Sequence, residues 1–144
     1  MRKIVFRIKD IDIWYYGFPL RKVRPEDLYI PFQGEDENGN SFYSISVDVK
    51  TLGQFTGLCD KNGKEIYEGD IVHCWDTIAK CEIWAVVEFG NPNAEYTWGW
   101  QLRKIKGSKG VNLDILCWVE CEETNAYCEI IGNIYDNPEL LKGE

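Results

Sequence analysis

The sequence is short of basic side chains, has a single histidine, and contains no apolar run of membrane-spanning length. Each scarcity excludes something. Sixteen Lys and Arg against twenty-four Asp and Glu give a formal charge of −8, which opposes generic attraction to a polyanion whose phosphates are neutralised by cations. The one histidine, His73, lies in an expected strand beside Cys74 with no base or nucleophile paired to it in sequence, and reads as structural. A membrane helix needs roughly 18 or more consecutive apolar residues, and none occurs. Met1 is followed by a charged, alternating stretch, Arg2 to Lys9, in place of a signal-peptide core, so the expected compartment is the cytoplasm and no membrane partner is expected.

Paired metal-ligand spacings are also missing. The six cysteines, Cys59, Cys74, Cys81, Cys117, Cys121 and Cys128, contain no C-x₂-C pair, the spacing by which a tight turn points two thiolates at one zinc ion. In a reducing compartment they stay thiols and serve as small core residues. A strand over residues 115–121 would place Cys117, Val119 and Cys121 on one face, as core packing does. Gly107-Ser108-Lys109-Gly110 lacks the glycine spacing and following helix of a phosphate loop, and reads as a flexible hairpin tip. Glu120, Glu122 and Glu123 follow no calcium-loop spacing and read as a solvated turn. Neither a cofactor, a metal nor a catalytic constellation is expected.

What the chain does have is alternation and aromatics. Aromatic residues make up 14% of the sequence, too many for a chain that fails to fold. Period-two patterning, the mark of half-buried strands, runs through Ile4-Phe6-Ile8, through Tyr43-Ile45-Val47-Val49 and through Cys81-Ile83-Ala85-Val87-Phe89, and continues over residues 96–105. Asn-Gly turn chemistry precedes two segments, at 36–40 and 60–64, and Gly90-Asn91-Pro92-Asn93 separates two strands. Asn137-Pro138-Glu139 predicts an N-cap, a first-turn proline and a short carboxy-terminal helix through Leu141. No long amphipathic helix, internal repeat or linker is present. Residues 1–30 hold seven basic and four acidic side chains, +3, leaving −11 for the rest, an asymmetry compatible with contacts between copies.

Two long segments carry a family resemblance. Val47 to Leu58 followed by Asp60 to Val72, and Ile130 to Leu141, resemble the YopX family of phage and prophage proteins, with Trp14-Tyr15-Tyr16-Gly17 in a matching amino-terminal position. The resemblance implies a mainly β fold, with an amino-terminal β subdomain (1–58) followed by an SH3-like small barrel (59–144) with a short carboxy-terminal helix, the two forming one compact unit. It also implies that Gly53, Gln54, Thr56, Gly57, Asp60, Asn62, Gly63, Glu68, Gly69 and Asp70 are structural signature residues, and it brings no established activity. Glu68-Gly69-Asp70, with its turn glycine and acidic cap, independently suits delivery of a chain into a small-barrel strand.

The expected function is accordingly a non-enzymatic phage or prophage accessory protein that assembles with itself or docks on a host or phage protein. The alternative is a nucleic-acid-binding small barrel. Arg103, Lys104, Lys106 and Lys109 would hold phosphates while Trp98 and Trp100 stack bases, although Tyr96, Trp98, Trp100 and Leu102 on one strand face equally describe a core.

Overall fold

The computed structural model describes residues 5–90, 99–119 and 125–142. Ten strands dominate the described residues: β1 (Phe6–Asp10), β2 (Ile13–Pro19), β3 (Tyr29–Asp36), β4 (Ser41–Asp48), β5 (Gly53–Cys59), β6 (Glu65–Tyr67), β7 (Asp70–Asp76), β8 (Cys81–Gly90), β9 (Gly99–Gly107) and β10 (Ala126–Asn133). Helical structure among the described residues is confined to a single turn, α1 (Leu116–Val119), and two 3₁₀ turns, Val49–Thr51 and Pro138–Leu141. The fold is mainly β, as alternation and turn chemistry require, and no helix among the described residues is long and apolar enough to cross a membrane. The chain divides into two units, Met1–Phe55 and Thr56–Glu144.

In the first unit the strands run in the order β4-β3-β2-β1, and the start of β5 adds Gly53 and Gln54 alongside Arg7 and Phe6. Ile8, Ile30, Phe32 and Val47 form the buried centre, with Phe6, Tyr15, Phe42 and Ile45 packed around it. Each of the four central side chains contributes about 1.5–3 kcal/mol by leaving water. Between β2 and β3, Gly17 faces Gly34. The strands approach so closely that a Cβ on Gly17 would collide with the Gln33 carbonyl, and one on Gly34 with that of Tyr16. The alternation from Tyr43 to Val49 stops one residue early: Asp48 accepts the Lys50 N–H at 2.9 Å and turns Val49 into the 3₁₀ turn.

The second unit is built on a four-stranded antiparallel sheet in the order β10-β7-β8-β9. One of its faces supplies Val72 and Cys74 from β7, Ile83, Ala85 and Val87 from β8, Leu102 from β9 and Cys128 from β10, and Leu58, Ile66, Ile115 and Trp118 complete this core. The second half of β5 runs beside β6. Among the described residues both sheets are open, so the closed SH3-like barrel implied by the resemblance is not shown.

Three further expectations change. The conditional strand over 115–121 is replaced by α1, because the Asp114 carboxylate accepts the Leu116 N–H at 3.0 Å and the Asp114 carbonyl accepts the Cys117 N–H. That local capping competes with extension, and the Trp118 indole donating to the Asn112 carbonyl at 2.8 Å closes the turn. Pro138 opens a 3₁₀ turn as its ring favours, but Asn137 makes no side-chain cap; its Oδ1 accepts the Asn133 N–H instead. Of the supposed flexible tip at 107–110, the first two residues are held against β8, with Gly107 paired to Ile83 and the Ser108 N–H donated to the Glu82 carbonyl at 2.8 Å. The turn at Asn91 to Asn93, the side chains Tyr96 and Trp98, Cys121 and the acidic run Glu120, Glu122 and Glu123 lie outside the described residues.

The loop between β2 and β3 is organised by one carboxylate. Arg21 donates two hydrogen bonds to Asp27, at 2.8 and 3.1 Å, and Arg24 adds its backbone N–H at 2.7 Å and its guanidinium at 3.1 Å. The Arg21 guanidinium, with the Arg24 N–H, holds the Asp27 carboxyl well below the usual carboxylate range. A pKa lowered on folding adds stability above the unfolded value, about 4, and that stability is lost as pH falls below it. Urea denaturation at a series of pH values is expected to show stability declining below about pH 4, with a shallower decline in Asp27→Asn.

Candidate functional site

Strand alternation gives the four-stranded sheet a second face. With Val72 and Cys74 turned into the core, His73 and Trp75 of β7 take the opposite side, and in β8 the residues Glu82, Trp84 and Glu88 do the same. Register adds Tyr127 opposite Trp75, Glu129 opposite His73, Arg103 opposite Val86 and Lys106 opposite Trp84. The result is a ring row that crosses the sheet. Tyr127 stacks on Trp75 with centroids 5.6 Å apart, Trp75 lies 4.8 Å from His73, and His73 stacks on Trp84 at 4.5 Å and 13°. The Lys106 ammonium sits 4.8 Å from the Trp84 centroid, and Lys61 stands 5.4 Å from that of Trp75. Such cation–π contacts contribute about 0.5–1 kcal/mol when exposed.

The row is accessible. Tyr127 is exposed, and His73, Trp75 and Trp84 are half-buried. Polar and charged groups on the face pair locally: His73 Nε2 with Glu82 at 2.8 Å, Lys61 with Glu129 at 3.3 Å, and Arg103 with Glu88. A shallow groove of about 480 Å³ begins at His73, Trp75 and Glu82 and runs to Asp76, Lys80, Cys81 and Ser108.

The four basic residues singled out from sequence are separated by this geometry. Arg103 and Lys106 reach the aromatic face. A bulge between the β8 positions Trp84 and Ala85 places Lys104 opposite Ala85, on the core side, where its ammonium donates to the Ser108 carbonyl at 3.0 Å. Lys109 lies beyond the strand. Trp100 packs at the core, edge-on to Phe89 with centroids 5.0 Å apart, and so does not join the row. The ring row itself escaped sequence reasoning, although Trp84 and His73 at the non-core positions of two strands were the signal for it. Among the described residues no three His, Cys, Asp or Glu side chains gather as a metal site.

The signature residues take up turns and clamps. Asp60, buried, accepts three backbone N–H groups: Asn62 and Lys64 through Oδ1, each at 2.9 Å, and Ile130 through Oδ2 at 3.0 Å. Gly63 follows with φ +80° and donates to the Asp60 carbonyl. Thr56 donates its hydroxyl to the Ile66 carbonyl at 2.8 Å and accepts the Leu58 N–H across Gly57. Beyond Glu68, Gly69 at φ +91° donates its N–H to the Val87 carbonyl and accepts the Ile134 N–H, and the Asp70 carboxylate accepts the Tyr67 N–H at 2.8 Å. Gly53 and Gln54 are the β5 residues paired with β1. Cys74 and Cys128 face each other across β7 and β10, and their mutual hydrogen bond and burial push the Cys74 thiol well above its ordinary value, while Cys59 is exposed.

A family model described as YopX protein matches residues 21–142. Among solved structures, the chain is similar to the crystal structure of protein EF1440 from Enterococcus faecalis, with a TM-score of 0.52 and 22% sequence identity over 99% of this chain and 100% of that one. That likeness concerns the fold. No curated protein matches the chain.

Two measurements follow from this geometry. Asp60→Ala strips an acceptor from three backbone donors, and chemical denaturation is expected to show a loss of about 2–4 kcal/mol, with Asp60→Asn milder. Thiol titration of the native protein is expected to modify Cys59 first and to reach Cys74 and Cys128 only on unfolding, because Cys59 is exposed and the other two are buried.

Proposed function

The chain belongs to the YopX family, and from that premise we propose that it is a phage- or prophage-encoded accessory protein that acts by binding rather than catalysis. It works in the host cytoplasm and assembles with copies of itself, alone or together with a host or phage protein. The observation that carries this reading is the row Tyr127-Trp75-His73-Trp84 laid across the half-exposed part of a sheet face. Aromatic rings are enriched at the centres of protein interfaces, where they bring large contact area at small entropic cost.

The chemistry of the face favours contact over turnover. A general base or nucleophile works when aimed at a substrate position in a cleft, whereas His73, Glu82, Lys61, Glu129, Arg103 and Glu88 are spent on one another. The face also suits nucleic acid poorly. A stacking platform needs free ring faces, yet these rings stack on each other and Lys106 and Lys61 lie over Trp84 and Trp75.

Light scattering on the purified chain tests the assembly. The expected particle has at least twice the 16.7 kDa of one chain. A strictly monomeric particle at high protein concentration would remove self-assembly from this reading.

A further inference from the structure

Self-assembly, the reading on which this inference rests, needs a surface where two acidic chains can meet. At −8 per copy, most pairings of faces bring like charges together. The aromatic face differs. Lys61, Arg103 and Lys106 stand there with Glu82, Glu88 and Glu129, so with His73 neutral its formal charge is zero. A polyanion gains little from such a surface, since its affinity grows with the phosphates neutralised. A second copy meets no net like charge on this face.

The distribution of those charges adds direction. β9 and β10 are the outermost strands of the sheet. The first brings Arg103 and Lys106 to the face, the second Glu129 and Tyr127. We propose that a second copy of the chain docks on this face in an isologous dimer, ring row against ring row, with the two-fold axis parallel to the strands. That rotation lays β9 of one copy over β10 of the other, twice. Lys106 of each copy then faces Glu129 of the other, which is half-exposed and holds Lys61 at 3.3 Å, leaving room on the carboxylate for a second cation. Trp75, Trp84 and Tyr127 lose their remaining water contact in the centre, the position from which aromatic residues dominate interface energetics.

Sedimentation equilibrium on the full chain tests the geometry by charge exchange. Lys106→Glu and Glu129→Lys are each expected to weaken dimerisation by about tenfold or more. The variant carrying both is expected to recover most of the lost association, because an isologous contact between the two positions is reversed and not removed. Trp84→Lys, which sets a charge in the centre, is expected to abolish the dimer while far-ultraviolet circular dichroism stays unchanged. If all of these variants sediment like the wild type, the docking face is overturned and assembly through another surface stands. A wild-type chain that is monomeric throughout overturns both. A single-stranded oligonucleotide that binds at low salt and is released by Trp84→Lys overturns the docked copy and gives the face to nucleic acid.

Discussion

The second unit hangs on a buried carboxylate. Asp60 binds its own turn through the Asn62 and Lys64 N–H groups and reaches the Ile130 N–H seventy residues later. The adjacent Lys61 N–H is donated to the Cys128 carbonyl at 2.9 Å, so the turn runs along β10 with alternating side-chain and backbone bonds. That matters because β10 is the last strand to join the sheet in chain order and an outer one in space. An outer strand left with bare N–H and C=O groups invites unwanted pairing; here the turn before β6 occupies the Ile130 N–H and the Cys128 carbonyl. Fixing β10 also fixes where Tyr127 and Glu129 stand, so the clamp sets one end of the ring row.

The two faces of that sheet show how similar patterns diverge in use. Cys74, Ile83, Ala85 and Leu102 are fully buried on one side. The other side is also rich in rings, but carboxylates and ammonium groups are interleaved with them, and His73, Trp75 and Trp84 remain half-exposed. A core has no use for Glu82, Glu88 and Glu129 beside its aromatics, because burying carboxylates is costly unless each is paired and hydrogen-bonded. The mixture is that of a surface that meets another surface.

Much of the fold is legible in the sequence. Alternation over 81–89 became β8, the Asn-Gly turns at 39 and 63 fell where the chain reverses, and the proline at 138 opened a helical turn. α1 is not legible there, because the capping of 116 and 117 by Asp114 is a local hydrogen bond that hydrophobic periodicity does not register. Nor is the ring row, since a strand pattern says which residues share a side but not which strands are neighbours. Trp84 meets His73 only because β8 lies beside β7, and Lys106 joins them only because a bulge resets β9 by one residue. Without that reset Lys106 would leave the face, and the basic cluster read from sequence was divided by the same shift.

The first unit carries its own constraint in a place where side chains are missing. Gly17 opposite Gly34 lets β2 and β3 approach at a distance that tolerates no Cβ from either strand. A slip of β3 by one residue would set Gln33 or Glu35 against Gly17, and Tyr16 or Phe18 against Gly34, filling a gap that has no room. The pair therefore acts as a keyway. Hydrophobic alternation chooses which face of each strand turns inward, and this bare spot admits one alignment between the strands, so pairing is specified by what the two residues do not have.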